Sequence, residues 1–304
     1  MASLLLRRIY AAQEFTLSRR RGKQLLHMCQ ALYVVDKGHL AKLRKRTGFS
    51  ISNCKKALEM HSNDLEKAEV WLKAEAQAQG WAKATKLSGR STTQGLIGIH
   101  IEGNTGAMVE VKCETDFVTR NENFKTLVAQ LARECMKSAT LSPHQSITKA
   151  ALSEEQLIQL ETSEGKTLGD HLALAIGSIG ENMSLARAVQ VRGGPGVHLL
   201  SYSHPSTPDE NLVTGKFGVI LALKTRGVLS EVSRQLCVHV IGMNPKAVGT
   251  LSDPKACDPD DETLLVHQEF LSDPEKTVGE VLQEENIDIV DFIRFEAGEY
   301  NNVD

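Results

Sequence analysis

The sequence predicts an α+β fold: a small N-terminal three-helix bundle followed by two related α+β subdomains with antiparallel sheets. Three observations lead there. Residues 36–81 carry three short apolar patterns of helical spacing. Residues 97–113 alternate around a glycine turn and run into an amphipathic helix. The same strand-and-helix unit returns about 110 residues later. At 304 residues the chain has room for about two domains and a sizeable core.

Residues 1–35 stand apart. Arg7, Arg8, Arg19, Arg20, Arg21 and Lys23 face the single acid Glu14, a local charge of +5 within a net charge of −3, so the remainder carries −8. Leu4, Leu5, Leu6 and Ile9 interleave with the arginines, beside Ser3, Thr16 and Ser18. Arg-rich, acid-poor and amphipathic is the composition of a mitochondrial transit peptide, and no apolar core before a small-residue cleavage site suggests secretion. The same composition also describes a basic arm that binds RNA. The acidic remainder has no field suited to nucleic acid, and no run of 18 apolar residues suits a membrane-spanning helix.

Asp36 is placed to cap a first helix with Leu40 and Leu43 on one face, ended by Thr47-Gly48. A second helix reads from about Ser52 to His61, with Ile51, Cys54, Ala57 and Leu58 clustered. Ser62-Asn63-Asp64 breaks it and caps a third, carrying Leu65, Ala68, Trp71 and Leu72. Three short helices over 36–81 resemble a ubiquitin-associated bundle, which leaves open an adaptor that binds ubiquitin or peptides. Residues 82–94 hold Lys83, Lys86 and Arg90 with no acid and read as a linker.

The first core subdomain, 95–190, opens with Ile97, Ile99 and Ile101 on one face of a strand. The turn 102–106 leads back through Val109, Val111 and Cys113, which makes a hairpin. Thr119-x-x-Glu122 reads as a capping box for a helix striped with Phe124, Leu127, Val128, Leu131 and Cys135. The second, 191–304, repeats the pattern: Val219–Thr225 overlays Val109–Thr115 without a gap, and Val232, Leu236 and Val240 mark its helix. A helix near Val278–Glu285 and the strand Phe292–Phe295 close the chain.

Most chemical motifs fail on inspection. Gly165-Lys166-Thr167 lacks the upstream glycine of a phosphate-binding loop, because position 160 is Leu. Arg192-Gly193-Gly194-Pro195-Gly196 reads as a hairpin loop. The ten His form no H-E-x-x-H, and no G-x-S-x-G is present. Cys29, Cys54, Cys113, Cys135, Cys237 and Cys257 lie at least 20 residues apart, without metal or redox spacing, and read as reduced thiols. No covalent catalysis, metal or cofactor is implied.

One segment stands out: Glu114-Thr115-Asp116-Phe117-Val118, at a strand-to-helix junction. Phe117 has two readings here. It packs back on the following helix as a staple, or it protrudes as an aromatic anchor for a partner's pocket.

These segments together resemble the elongation factor Ts family. Leu43-Arg44-Lys45-Arg46-Thr47-Gly48 with Asn53-Cys54-Lys55-Lys56-Ala57-Leu58 is similar to its L-R-x-x-T-G…D-C-K-K-A-L signature. Val109–Val118 is similar to E-V-N-C-E-T-D-F-V, Ile179–Leu185 to its I-G-E-N stretch, and Phe295–Glu299 to its terminal F-E-V-G-E. The matches run in family order over roughly residues 36–300, and the leader points to the mitochondrial branch.

The resemblance implies a non-enzymatic guanine-nucleotide exchange factor for elongation factor Tu in the mitochondrial matrix. It would bind Tu with GDP and without nucleotide, as a one-to-one heterodimer, with no direct nucleic-acid or membrane partner. In the family the Asp-Phe pair inserts between helices of the Tu G domain, which assigns Asp116 and Phe117 here, with Thr115 and Val118 shaping the loop. Arg44, Ile51 and Ser52 take the positions of bundle residues that touch Tu, although the family typically has a Met pair at 51–52. Ser201-Tyr202-x-His204 is similar to a segment whose His meets another Tu domain; a long Pro-bearing loop follows it here, unlike the family. The coiled-coil arm of bacterial members has no counterpart in 250–275, which is short and Pro-rich.

Overall fold

A computed structural model describes residues 35–47, 49, 51–142, 146–206, 213–225 and 231–299. All but the last residue of the stretch read as a leader, and Gly48, lie outside the described residues. The chain divides into two compact units, Met1–Glu75 and Ala76–Asp304.

In the first unit, helix α1 (Lys37–Thr47) and α2 (Ile51–Met60) pack with the start of α3 (Leu65–Leu87). Leu43, Cys54, Ala57, Leu58, Ala68 and Leu72 form the shared core. Asp36 Oδ1 accepts from His39 N at 2.7 Å. Asp64 Oδ1 accepts from Glu66 N and Lys67 N, both at 3.1 Å. Each side chain satisfies amide donors that a helix start leaves without a partner. Ser62 and Asn63 take positive φ to make the sharp turn between α2 and α3.

The segment 82–87, read as linker, is the end of α3. Its residues hold neither Gly nor Pro, and packing within the second unit decides the matter. Leu87 is buried in the main core, Lys83 Nζ donates to Gly177 O at 3.0 Å, and Trp81 Nε1 donates to Asp170 Oδ1 at 2.9 Å. Gly80 passes so close that a Cβ would lie 2.4 Å from Ala173 O.

The second unit holds two main antiparallel sheets. Strands β1 (Gln94–Glu102), β2 (Thr105–Cys113), β3 (Ile147–Leu152), β4 (Met183–Gly193) and β6 (Thr214–Gly215) form one, in the order β3-β4-β2-β1-β6. Strands β5 (His198–His204), β7 (Phe217–Thr225) and β10 (Ile287–Glu296) form the other, in the order β10-β7-β5. Between β2 and β3 lie a single helical turn, α4 (Asp116–Thr119), and the long α5 (Glu122–Lys137). α6 (Glu154–Gln159) and α7 (Leu168–Ile179) precede β4. α8 (Glu231–Met243), the small hairpin β8 (Glu269–Phe270) and β9 (Asp273–Thr277), and α9 (Val278–Glu284) follow β7. Among the described residues no helix is long and apolar enough to cross a membrane.

The layers follow from strand parity. Val109, Val111 and Cys113 face the core under α5 and α7 with Phe124, Val128, Leu131 and Leu172. Ile97, Ile99 and Met108 point the other way, onto Ile220 and Ala222 of the second sheet. Val219, Leu221 and Leu223 then pack under α8 and α9 with Leu236, Val240 and Leu282. The order is helix, sheet, sheet, helix. β1 and β7 are therefore buried on both faces, whereas the alternation suggested a single buried face; such central strands read as continuous apolar runs. Gly218 permits the close approach of the sheets, since a Cβ there would lie 2.6 Å from Ile97 Cγ2. The tandem pattern corresponds to two central strands, β2 and β7, each followed by a helix on its outer face.

Four further details differ from the sequence reading. Asn121, not Thr119, caps α5, its side chain accepting from Asn123 N; Thr119 is held in α4, where its Oγ1 donates to Asp116 O at 2.7 Å. The glycine-rich 192–196 loop joins strands of different sheets and is no hairpin, because β2 and β3 already occupy both edges of β4. The division at 190/191 falls inside β4, and β6 from beyond it pairs with β1. β10 is longer than the Phe292–Phe295 core of the expected strand and pairs with β7 through a bulge between Ile289 and Asp291. Gly165-Lys166-Thr167 starts α7, with Thr167 and Asp170 forming a reciprocal capping box. The described residues of 250–275 make two 3₁₀ turns and the start of the small hairpin.

Candidate functional site

The site forms where β2 stops. Thr115 is extended at φ −125° and ψ 156°, which turns the chain into α4. A single helical turn sends adjacent side chains in different directions. Val118 is 4% exposed and anchored in the main core, while Phe117 is 76% exposed. The staple reading of Phe117 is excluded by that exposure. Asp116 Oδ2 accepts from Arg120 Nη2 at 2.9 Å, on the surface beside it.

The turn is fixed from below by the Ile179–Leu185 segment. The register of β2 and β4 sets Cys113 opposite Met183, so residues 114–115 meet 181–182. Glu114 Oε1 accepts from Asn182 N at 2.6 Å and its Oε2 from Arg90 Nη1 at 3.4 Å. Thr115 Oγ1 donates to Glu181 Oε2 at 2.9 Å. Asn182 Nδ2 donates to Arg90 O at 2.8 Å. Gly180 supplies the left-handed residue, φ +91°, that ends α7 and lets the chain double back. The Cys113 thiol donates to Thr115 O at 3.3 Å. Burial, with help from the Glu181 carboxylate, pushes its pKa up to about 12, so it stays a thiol.

A cleft of about 420 Å³ opens beside Asp116 and also takes in Pro205 and Ser206. These follow His204, the exposed last residue of β5, whose ring is 6.5 Å from that of Phe217. The structure thus brings the end of β5 to the same cleft as the Asp116 turn. Arg44, Ile51 and Ser52 belong to the first unit. Arg44 is exposed in the last turn of α1, and Ile51, 50% exposed, and Ser52 open α2 across the same short connection.

Two supporting features were not found by sequence reasoning. Arg90 enters the support of the turn from the segment read as linker. Glu110, 1% exposed, pairs with Arg187 Nε at 2.7 Å and accepts from Gly298 N at 2.8 Å. Arg187 also lies 4.1 Å over the Phe295 ring and donates to Glu296 O at 3.1 Å. The terminal Phe295–Glu299 segment is thereby held on the first sheet. No spacing signal marks a contact between residues 188 positions apart.

The geometry defines an α+β protein of two packed antiparallel sheets that carries an exposed aromatic on a hydrogen-bonded turn. The chain belongs to the elongation factor Ts family. Residues 23–82 match the family model described as elongation factor Ts, mitochondrial, N-terminal. Residues 114–258 and 255–299 match elongation factor TS. The chain is 49% identical to the mitochondrial elongation factor Ts of Aedes aegypti over 277 residues, 88% of this chain and 90% of that one. It is 44% identical to the Homo sapiens protein of that name over 270 residues, 86% and 82% of the two. Membership implies the family's role, nucleotide exchange on elongation factor Tu in translation elongation, and the chain is a mitochondrial member.

Proposed function

We propose that this chain catalyses guanine-nucleotide exchange on mitochondrial elongation factor Tu by seating the Asp116-Phe117 turn in the GTPase. The observation that carries the reading is Phe117, 76% exposed on a turn whose base is held by the Thr115–Glu181 and Glu114–Asn182 hydrogen bonds. A GTPase holds its nucleotide through backbone amides, a lysine and Mg²⁺, so release is slow unless many contacts loosen together. Burying one phenyl ring stabilises a complex by about 1.5–3 kcal/mol, which offsets displacement of the helices behind the metal and phosphate loop. Linkage then demands that nucleotide weaken the factor's binding as much as the factor weakens the nucleotide's. GTP therefore displaces the factor, which binds the GDP and nucleotide-free forms as a one-to-one heterodimer and breaks no covalent bond. Arg44, Ile51, Ser52 and His204 supply further contacts. Residues 1–35 serve as the import leader.

The test is release of a fluorescent GDP from mitochondrial elongation factor Tu into excess unlabelled nucleotide. Substoichiometric amounts of residues 36–304 are expected to accelerate it over many turnovers. Binding without acceleration would leave a scaffold and overturn the exchange reading.

A further inference from the structure

The cleft beside Asp116 has an electrostatic bias that the docking turn does not use. Three cations, Arg120, Lys125 and Lys216, line it against the one carboxylate of Asp116. Arg120 spends one guanidinium nitrogen on Asp116, and Lys125 pairs with Glu122 at 2.8 Å. Lys216 is exposed at the cleft edge.

The cleft also contains a buried polar group without a partner. Thr214 is 1% exposed, and among the described residues its Oγ1 makes no hydrogen bond. Its direction follows from register. Thr214 of β6 lies opposite Gly98 of β1, and directly opposed residues of an antiparallel pair share a face. Gly98 faces α5, since a Cβ there would be 2.7 Å from Val128 Cγ1. Thr214 therefore points to the α5 side of the sheet, the side of Lys125. A buried hydroxyl left unpaired is costly, and a group that accepts a hydrogen bond would relieve it.

We infer that this cleft receives a carboxylate side chain of the GTPase partner, which accepts from Thr214 Oγ1 and pairs with Lys216 as Phe117 docks. The inference rests on the proposed exchange function. It gives the two features separate tasks: Phe117 drives release, and the cleft holds the partner. Neither an apolar anchor nor a neutral hydrogen-bonding group accounts for Lys216, the one lining cation that holds no ion pair among the described residues.

Thr214→Val and Lys216→Gln test it, with binding to mitochondrial elongation factor Tu and the exchange rate at saturation both measured. Each variant is expected to raise Kd by about tenfold, the loss of one hydrogen bond to a charged group. The saturated exchange rate should stay at the wild-type value. Lys216→Gln should also flatten the dependence of Kd on salt. Thr214→Val should melt no lower than wild type, because it removes an unpaired buried hydroxyl, a result that a merely structural role for Thr214 does not give. Wild-type Kd in both variants overturns the cleft assignment. If Phe117→Ala still abolishes exchange in that case, the function reading stands without the cleft. A wild-type chain that does not bind the GTPase overturns both.

Discussion

Thr115 Oγ1 donates to Glu181 Oε2 across 2.9 Å, joining two segments 66 residues apart at the base of the exposed turn. With Glu114 bound to the Asn182 amide at 2.6 Å, it makes the direction of Phe117 a consequence of the β2–β4 register. A side chain that must enter a pocket loses less on docking when its backbone is already ordered.

The pair should therefore matter to exchange more than to folding. Thr115→Val and Glu181→Ala are each expected to destabilise the protein by about 0.5–1.5 kcal/mol, read from urea midpoints, and to slow exchange. The double variant should cost less than the two singles added, because they share one interaction. Additive losses would show that the two side chains act separately.

The Glu110–Arg187 pair makes a larger prediction. Both side chains are largely buried, at 2.7 Å. Arg187→Met leaves the buried Glu110 carboxylate with only Lys112, 4.0 Å away, as a cation and is expected to cost about 3 kcal/mol, the lower end for breaking a buried pair. Glu110→Leu with Arg187→Met should regain most of that loss in a thermal melt. A double variant as unstable as the single would show that the pair contributes more than charge compensation.

Acid should weaken the fold through its histidines. His239 is fully buried, its ring nitrogens meeting Gln268 Oε1 at 3.1 Å and the Leu271 amide at 3.2 Å. Burial holds its pKa below the ordinary value, and burial does the same for His171 and His100. The unfolded chain takes up these protons near pH 6.5 while the folded chain resists them. Their contribution is complete above about pH 6.5 and is lost as pH falls below it. The urea midpoint at pH 5.5 should lie below that at pH 7.5; a higher midpoint in acid would contradict the assignment.

Much of this architecture was legible locally. The β1–β2 hairpin, the α5 stripe and the second strand-and-helix unit show in alternation and helical spacing, which depend on residues a few positions apart. The length of α3 was not, because Ala82–Leu87 are helical through packing by Leu87 and Lys83 rather than through an apolar stripe. Nor was the passage from β4 to a different sheet across the 192–196 loop, since a glycine-rich turn looks the same within a sheet and between two sheets. At the site, the segment Glu114–Val118 stood out by its place at a strand-to-helix junction, and the resemblance gave Asp116 and Phe117 their role. Which of Phe117 and Val118 enters the core depends on the pitch of a single helical turn, and no periodicity reports that. The Glu181 support depends on long-range register, which a single sequence does not encode visibly.

The central claim is that Phe117 drives nucleotide release. It is tested most directly by comparing wild type and Phe117→Ala in the fluorescent-GDP release assay, at factor concentrations that saturate mitochondrial elongation factor Tu. Phe117 is exposed, so the variant should fold with a stability within about 0.5 kcal/mol of wild type. Phe117→Ala is expected to bind the GTPase but to lose at least about tenfold in saturated release, the effect of about 1.5 kcal/mol, the lower end for one aromatic burial. A folded Phe117→Ala protein that releases GDP at the wild-type rate would contradict it.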